Sequence, residues 1–115
     1  YGLCAVCHQP DGLGRSDLAP PLKNGRWANA TSPDIAISIL LHGLQGTAGF
    51  PTPMVPMPGL TDEQLAGVLT FVRRSWGNDA SSVSPADIAR VREKTSGKVG
   101  FYTNEELAQA SGTAP

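Results

Sequence analysis

The clearest pattern of apolar positions predicts an α-helix over residues 61–77. One stripe at helical spacing comprises Leu65, Val68, Leu69, Val72 and Trp76. Thr61 and Gln64 stand at the spacing of a capping box, in which each side chain satisfies a backbone donor at the helix start. Arg73 and Arg74 fall in the last turn, where cations complement the helix dipole. We therefore expect a helix with one face in the core.

Two shorter helices are predicted ahead of this one. The first covers residues 1–9 and ends near His8, because a glycine-containing turn follows it. The second covers residues 33–42, with Ser32 as a hydroxyl cap and a proline at the first helical position. Gly43 then provides a typical C-terminal stop. These three segments are expected to form the helical core.

Two further helix starts follow Asn78. One begins with Ser-Pro-Ala-Asp from Ser84 and the other with Thr-Asn-Glu-Glu from Thr103, and both place an acidic residue near the helix start. We expect residues 1–78 to form the core and residues 79–115 a C-terminal helical extension of the same domain, ending in a tail or linker. No convincing strand pattern is present, so the predicted class is all-α.

Composition changes this picture by suggesting that something fills the centre of the fold. The chain has 115 residues, and its 13 glycines and 10 prolines concentrate in residues 10–60. A chain this short and loop-rich buries only a modest core unaided. Residues 43–60 form a long irregular stretch, which inside a compact domain is usually functional. The net charge of −1 gives no case for nucleic acid, and residues 35–41 are too few to span a bilayer.

The strongest chemical signal is the sequence CAVCH at residues 4–8. Two thiols three positions apart, followed by an imidazole, form the attachment signature of a c-type haem. On a helical turn, both sulfurs can reach the vinyl groups on one edge of a porphyrin. Cys4 and Cys7 would form the thioether bonds, and His8 would be the proximal iron ligand. The predicted cofactor is therefore one covalent haem c (heme c).

Three other interpretations of the two cysteines remain open at this point. A disulfide between Cys4 and Cys7 would close so short a loop that it would constrain little. A thioredoxin-like redox pair expects a βαβ setting, which the flanking residues do not suggest. Half a zinc site would need a second Cys/His pair, and the other histidine, His42, is isolated.

The sixth ligand of such a haem is expected to come from the loop at residues 43–60. Met54 and Met57 both lie there, between prolines that stiffen the backbone. A thioether is soft and neutral, so it favours reduced iron and suits electron transfer. His42 is a further candidate, but it lies at a helix C-terminus, where the helix dipole stabilises an imidazole without any role in iron ligation.

The sequence resembles class I c-type cytochromes over roughly residues 1–78. The resemblance rests on CAVCH, the Gly-x-Gly at 12–14, the Ala-Pro-Pro-Leu at 19–22, the methionine loop, and the Leu-Thr-Asp-Glu-Gln-Leu at 60–65. It implies a cytochrome c-like fold, with three core helices around the haem. The run LTFVRRSWGN at residues 69–78 resembles bacterial monohaem domains attached to, or serving, dehydrogenases and other redox enzymes.

The resemblance also implies roles for individual residues. The carbonyl of Pro20 should accept a hydrogen bond from His8, which would orient the imidazole. Leu22 should pack against the porphyrin. In members of the family, the methionine that is the sixth ligand is usually followed by a proline, which matches Met57. The number of residues between the ligand and the following helix start, however, suits Met54. Because the loop must reach from the haem to that helix, we expect Met54 to be the ligand, with Met57 as the alternative.

Several polar and aromatic residues are assigned by chemistry alone. Arg26 and Trp27 are candidate donors to the haem propionates, and Arg15 is a further one. We expect Tyr1 and Phe71 to pack where the first and third helices cross.

The predicted function is one-electron transfer between redox partners, without enzymatic activity. The partner would be a dehydrogenase, an oxygenase or another cytochrome. We expect it to dock near the edge that carries Cys4 and Cys7, with Leu13, Leu18 and Ala19 among the contacts. A haem enzyme or gas sensor with a labile sixth ligand is the alternative, and a non-haem redox or structural domain is a more remote one.

Cofactor biology gives the expected location. Haem attachment to this motif generally takes place outside the cytoplasmic membrane, so we expect a periplasmic or secreted (cell-surface) protein. No signal peptide precedes the motif, which begins three residues from the start. The chain is therefore expected to be a processed product or a piece of a longer protein.

Overall fold

The computed structural model describes residues 1–16 and 18–111, without the side chains of Leu3, Val6, Cys7 and Ser111. The described residues form five α-helices and no β-strand. The helices are α1 (Gly2–His8), α2 (Asp34–His42), α3 (Asp62–Arg74), α4 (Pro85–Lys94) and α5 (Asn104–Ser111). The all-α prediction is confirmed. The predicted C-terminal tail lies beyond the described residues.

Helix α3 begins as predicted but ends earlier. Thr61 and Gln64 form both hydrogen bonds of the capping box, at 2.9 and 3.1 Å. The helix stops at Arg74, whereas the sequence pattern predicted that it continues to residue 77. Trp76 has a φ of 55°, and its indole N–H donates to the carbonyl of Pro10 at 3.0 Å. The tryptophan therefore fastens the N-terminal turn instead of extending the helical stripe.

The aromatic contact predicted near the chain start is present. The ring centroids of Tyr1 and Phe71 lie 5.1 Å apart, and the Tyr1 and Trp76 centroids lie 5.4 Å apart. Such pairs stabilise beyond the area that they bury. The cluster joins the start of α1 to the C-terminal half of α3.

Helix α2 lies in the middle of the structure. It begins at Asp34, whose backbone N–H donates to the Ser32 hydroxyl at 3.2 Å, so the start is one residue later than predicted. Gly43 ends the helix with a φ of 81°. A Cβ at this position would collide with the Met54 carbonyl and the Phe101 ring. The stop at Gly43 thus lets the following loop and the C-terminal segment approach the end of α2.

Helix α4 packs into the same core as α2 and α3. Its Ile88 and Val91 are 0% and 1% exposed, and they join a cluster with Ile37 of α2 and Leu65 of α3. Full burial of such a side chain stabilises the fold by about 1.5–3 kcal/mol. Ser84 caps α4 through a capping box with Asp87, as the sequence predicted for a helix start here. The helix is therefore an integral part of the packed structure.

Arg73 has a role that the sequence pattern did not indicate. It was predicted to complement the dipole of α3, yet its side chain is fully buried. The guanidinium donates to the carbonyls of Ala28, Ala30 and Thr31, and to the carbonyl and hydroxyl of Ser81. A buried cation is tolerated where its donors are satisfied in this way. Arg73 thereby fixes residues 28–31 beside α3.

Candidate functional site

An apolar cavity of about 420 Å³ lies between α1, α2, α3 and the two long loops. Most of its wall is aliphatic or aromatic, as in sites for flat organic cofactors. It brings together eight residues that the sequence predicted for a haem site. They are Cys4, His8, Pro20, Leu22, Arg26, Trp27, Met54 and Met57. Cys7 belongs to α1, but its side chain lies outside the described part of the structure.

His8 is oriented by one short hydrogen bond. Its Nδ1 lies 2.9 Å from the carbonyl oxygen of Pro20, which can only accept. Nδ1 therefore carries the proton, and Nε2 keeps the lone pair that a metal requires. Burial lowers the pKa of His8, and the bond to Pro20 opposes this only in part. The imidazole is consequently held neutral near pH 7, which is the form that ligates.

The loop that carries Pro20 folds back tightly on the end of α1. Gly14 has a φ of 73°, and its N–H donates to the carbonyl of His8 at 3.0 Å. A Cβ on Gly14 would collide with the backbone of Ala19 and Pro20. Only glycine permits this approach, so Gly14 places the Pro20 carbonyl within reach of the imidazole.

The two methionines are fixed through their backbones at the end of α2. Met54 exchanges two backbone hydrogen bonds with Leu44, at 2.8 and 3.2 Å. The N–H of Met57 donates to the carbonyl of Leu40 at 2.7 Å, which satisfies a carbonyl in the last turn of α2. Both side chains are partly buried and line the cavity. Met54 also packs against both apolar clusters of the core.

Arg26 and Trp27 meet at the cavity wall, but in a different arrangement from the predicted one. The Arg26 guanidinium lies over the Trp27 ring, 4.1 Å from its centroid. The indole N–H, which was expected to serve a propionate, donates instead to the Asn104 side chain at 3.0 Å. The reason is that α5 brings an acceptor to this point, which the sequence pattern could not indicate. Arg15, the further candidate, is exposed.

His42 is engaged away from the cavity. Its Nε2 lies 2.8 Å from the Thr95 hydroxyl of the segment after α4. Its ring also meets Tyr102 edge-on, with the centroids 5.7 Å apart. This arrangement favours the structural role given to His42 over iron ligation.

Sequence reasoning missed several residues in the cavity wall. Phe50 and Val55 belong to the long loop, which has no periodic pattern to show which side chains point inward. Asn104 appeared only as part of a helix start, and its contact with Trp27 spans 77 positions of sequence. A pattern based on local spacing carries no signal for such a contact.

The donor chemistry of the cavity fits a covalently bound haem. It offers a thiol from Cys4, a neutral imidazole and two thioethers within an apolar wall. Within residues 1–16 and 18–111, no group of three or more His, Cys, Asp or Glu side chains could hold a metal ion by itself. Nor do the described helices include one long and apolar enough to cross a membrane.

Comparison with known proteins points in the same direction. The family model "Cytochrome c" matches residues 2–76. The chain is 39% identical over 101 residues to the gluconate 2-dehydrogenase cytochrome c subunit of Pantoea cypripedii, which covers 78% of this chain and 22% of that protein. It is 33% identical over 96 residues to the cytochrome c subunit of alcohol dehydrogenase (quinone) of Gluconacetobacter polyoxogenes, with shares of 78% and 20%.

A smaller relative matches over most of its own length. Cytochrome c-552 of Thermus thermophilus is 35% identical over 92 residues, which is 72% of this chain and 69% of that protein. By contrast, the match spans about a fifth of each dehydrogenase subunit. The chain belongs to the cytochrome c family, which transfers electrons through covalently bound haem c. The predicted cytochrome c-like fold is confirmed, and so is the prediction that the matched segment is an electron-transfer domain and not a catalytic one.

Proposed function

We propose that this cytochrome c relays single electrons through one haem c, attached through Cys4 and Cys7 and ligated by His8 and Met54. The bound haem supplies an iron that alternates between the ferrous and ferric states. The observation that carries the proposal is the His8 Nδ1–Pro20 hydrogen bond, at 2.9 Å, in the wall of a cavity that both methionines line. It presents a neutral, oriented imidazole on a surface suited to a porphyrin.

The protein's own task at this site is to hold two ligands and exclude water. Leu22 and the aliphatic residues of α2 and α3 supply the apolar wall, which keeps the dielectric low and raises the reduction potential. Arg26 is the propionate donor that we retain, because it is exposed at the same wall. Trp27 acts instead through its ring, since its N–H is already donated to Asn104.

Met54 is the preferred sixth ligand for two reasons. It lies further from the start of α3 than Met57, which leaves chain to cross from the iron to that helix. Its amide and carbonyl both bond to Leu44, at 2.8 and 3.2 Å, whereas the Met57 carbonyl accepts only a longer bond, 3.4 Å, from Leu60 of the same loop, so the Met54 backbone is the more constrained. Fixing the backbone beforehand lowers the entropy lost on ligation.

The test is a set of measurements on the purified, haem-loaded protein. We expect the intact mass to exceed that of the polypeptide by one haem, and Cys4→Ser or Cys7→Ser each to leave a single thioether. The ferric protein should show the weak sulfur-to-iron absorption band. Carbon monoxide should bind the ferrous form slowly and incompletely at neutral pH. Rapid, complete binding would contradict the proposal and favour a haem enzyme or gas sensor.

The partner that we propose is a redox enzyme, because two relatives are named as cytochrome c subunits of dehydrogenases. We place the contact on exposed apolar residues, namely Leu13, 54% exposed, and Val55, 58% exposed at the cavity wall. Ala19, which the sequence suggested as a contact, is only 5% exposed and is therefore withdrawn. Arg15→Glu should change the electron-transfer rate and its salt dependence, and unchanged rates would count against this surface.

Location and domain organisation complete the proposal. Because haem attachment to this motif takes place outside the cytoplasmic membrane, we propose a periplasmic or cell-surface protein. We also propose that residues 79–115 extend the domain formed by residues 1–78. The burial of Ile88 and Val91 against α2 and α3 supports this organisation.

A further inference from the structure

The loop that carries Met54 and Met57, residues 43–60, is the methionine loop. The chain after α3, residues 75–111, is the C-terminal segment, and it contacts the start of the methionine loop. The N–H of Tyr102 donates to the carbonyl of Gly43 at 3.1 Å, and the N–H of Gln45 donates to the carbonyl of Tyr102 at 3.0 Å. These backbone bonds pair the two segments in parallel. The first residues of the methionine loop are thereby tied to the C-terminal segment.

Asn104 adds a side-chain contact two residues further along. Its Nδ2 donates to the Thr47 hydroxyl at 3.1 Å, while its Oδ1 accepts from the indole of Trp27 at 3.0 Å. Asn104 therefore joins α5, the methionine loop and the cavity wall.

Arg92 of α4 holds the other end of the loop. Its Nε donates to the Asp62 carboxylate at 2.7 Å, and its two terminal nitrogens donate to the carbonyls of Pro58, at 3.0 Å, and Leu60, at 2.5 Å. The planar guanidinium makes all three bonds from one position. It fixes the exit of the loop against the first turn of α3.

Both points of attachment lie in, or directly before, a helix that buries one face in the core. Ile88 and Val91 anchor α4 in the core, and Leu107 and Ala108, each 0% exposed, anchor α5. The two sets of contacts are thus anchored by helices packed into the core, and they flank both methionines. Movement of the thioether away from the cavity requires the loop between them to deform.

We infer that the C-terminal segment clamps the methionine loop at both ends and thereby limits how readily the methionine sulfur leaves the iron. The clamp consists of Arg92 at the exit, and of Tyr102 and Asn104 at the entry. This inference rests on the proposed methionine ligation. Hydrogen bonds to a charged group are among the stronger ones in proteins. Release of either end should therefore populate open conformations of the loop more often.

The test compares Arg92→Gln with Arg90→Gln in the haem-loaded protein. Arg90 lies on the same helix and also makes an ion pair, with Asp34 at 2.8 Å, but it contacts α2 instead of the loop. Thr47→Val is the second variant, because it removes the loop's bond to Asn104 and leaves the Asn104–Trp27 bond in place. The readouts are the rate at which external imidazole displaces the ligand of ferric haem and the hydrogen exchange of the Met54 and Met57 amides.

We expect Arg92→Gln to accelerate both imidazole binding and amide exchange about tenfold, with a smaller effect from Thr47→Val, as a lost charge-assisted bond predicts. Arg90→Gln should leave both rates unchanged. Equal acceleration by Arg90→Gln and Arg92→Gln would overturn the clamp, and so would faster exchange without faster imidazole binding. If the wild type lacks the sulfur-to-iron band, methionine ligation fails. Unchanged amide exchange in Arg92→Gln would instead refute the clamp while ligation stands.

Discussion

The two walls of the cavity are built in different ways. On the side of His8, the bond that orients the imidazole spans only 12 positions, and Gly14 folds the connecting loop. On the side of the methionines, Leu40 and Leu44 bond to the loop from nearby in the sequence. Its two ends, however, are held by Arg92 and Asn104, which lie 34 and 57 positions from their partners Pro58 and Thr47, and by Tyr102. The imidazole of His8 is thus oriented by a local hydrogen bond, whereas both ends of the loop that carries the methionines are held by tertiary contacts.

This difference explains which residues could be predicted. The motif at residues 4–8 and the spacing to Pro20 are local patterns, so the orientation of His8 could be anticipated. The choice between Met54 and Met57 depends on where α2 and the C-terminal segment hold the loop, and no local pattern contains that information.

The largest expected effect comes from Arg73, a buried residue whose bonds to the carbonyls of Ala28 and Ala30 span 45 and 43 positions of sequence. Arg73→Leu leaves the carbonyls of Ala28 and Ala30 without their donor, and buried acceptors left unpaired cost about 1–3 kcal/mol each. We expect the free energy of unfolding to fall by about 3–5 kcal/mol in total. Arg74→Leu, at the exposed neighbour, should lower it by less than about 1 kcal/mol.

Denaturant unfolding of the haem-loaded proteins measures this difference. The absorption spectrum of folded Arg73→Leu should match that of the wild type, because the His8–Pro20 contact is local. A changed haem spectrum in the folded variant would show that the orientation of His8 also depends on distant contacts, which would break the comparison between the two walls.

Gly14→Ala tests the local side directly. The substitution forces a residue with a Cβ to a φ of 73° and into the backbone of Ala19 and Pro20, so we expect a loss of about 2–4 kcal/mol in unfolding free energy. Gly46→Ala is the matched control: Gly46 has a φ of 75° in open space on the methionine loop, and its loss should be about 1 kcal/mol.

The reduction potential distinguishes the two glycine variants further. Gly14→Ala should shift it, because the Pro20 carbonyl moves relative to His8 and the basicity of the ligand changes. Gly46→Ala should leave it unchanged. Equal losses of stability and equal potentials in the two variants would contradict a special role for the turn at Gly14.

The smallest expected effect concerns the ion pair between α2 and α4. The Arg90 guanidinium lowers the pKa of the Asp34 carboxyl. The group therefore contributes stability above its unfolded pKa, and this contribution is lost as the pH falls through the lower folded value, below about pH 4. Asp34→Asn should flatten this part of the stability profile in acid. An identical acid profile for wild type and variant would show that the pair contributes nothing.

The fold was more predictable than the site for a physical reason. Thr61 with Gln64 and Ser84 with Asp87 satisfy donors within one turn, so sequence spacing reveals those helix starts. Trp76 left the predicted helix because its indole has a better partner at Pro10, 66 positions away. Arg73 likewise has the sequence position of a surface cation at a helix end, but carbonyls more than 40 positions away surround its guanidinium. In both cases a hydrogen-bond partner that is distant in sequence determines the position of the side chain, and the local pattern does not.

The identity of the sixth ligand provides the most direct test of the account. The ferric absorption spectra of Met54→Ala and Met57→Ala, each carrying haem, are compared with that of the wild type. We expect Met54→Ala to lose the weak sulfur-to-iron band and Met57→Ala to retain it. Retention of the band in Met54→Ala would contradict the proposed ligation by His8 and Met54.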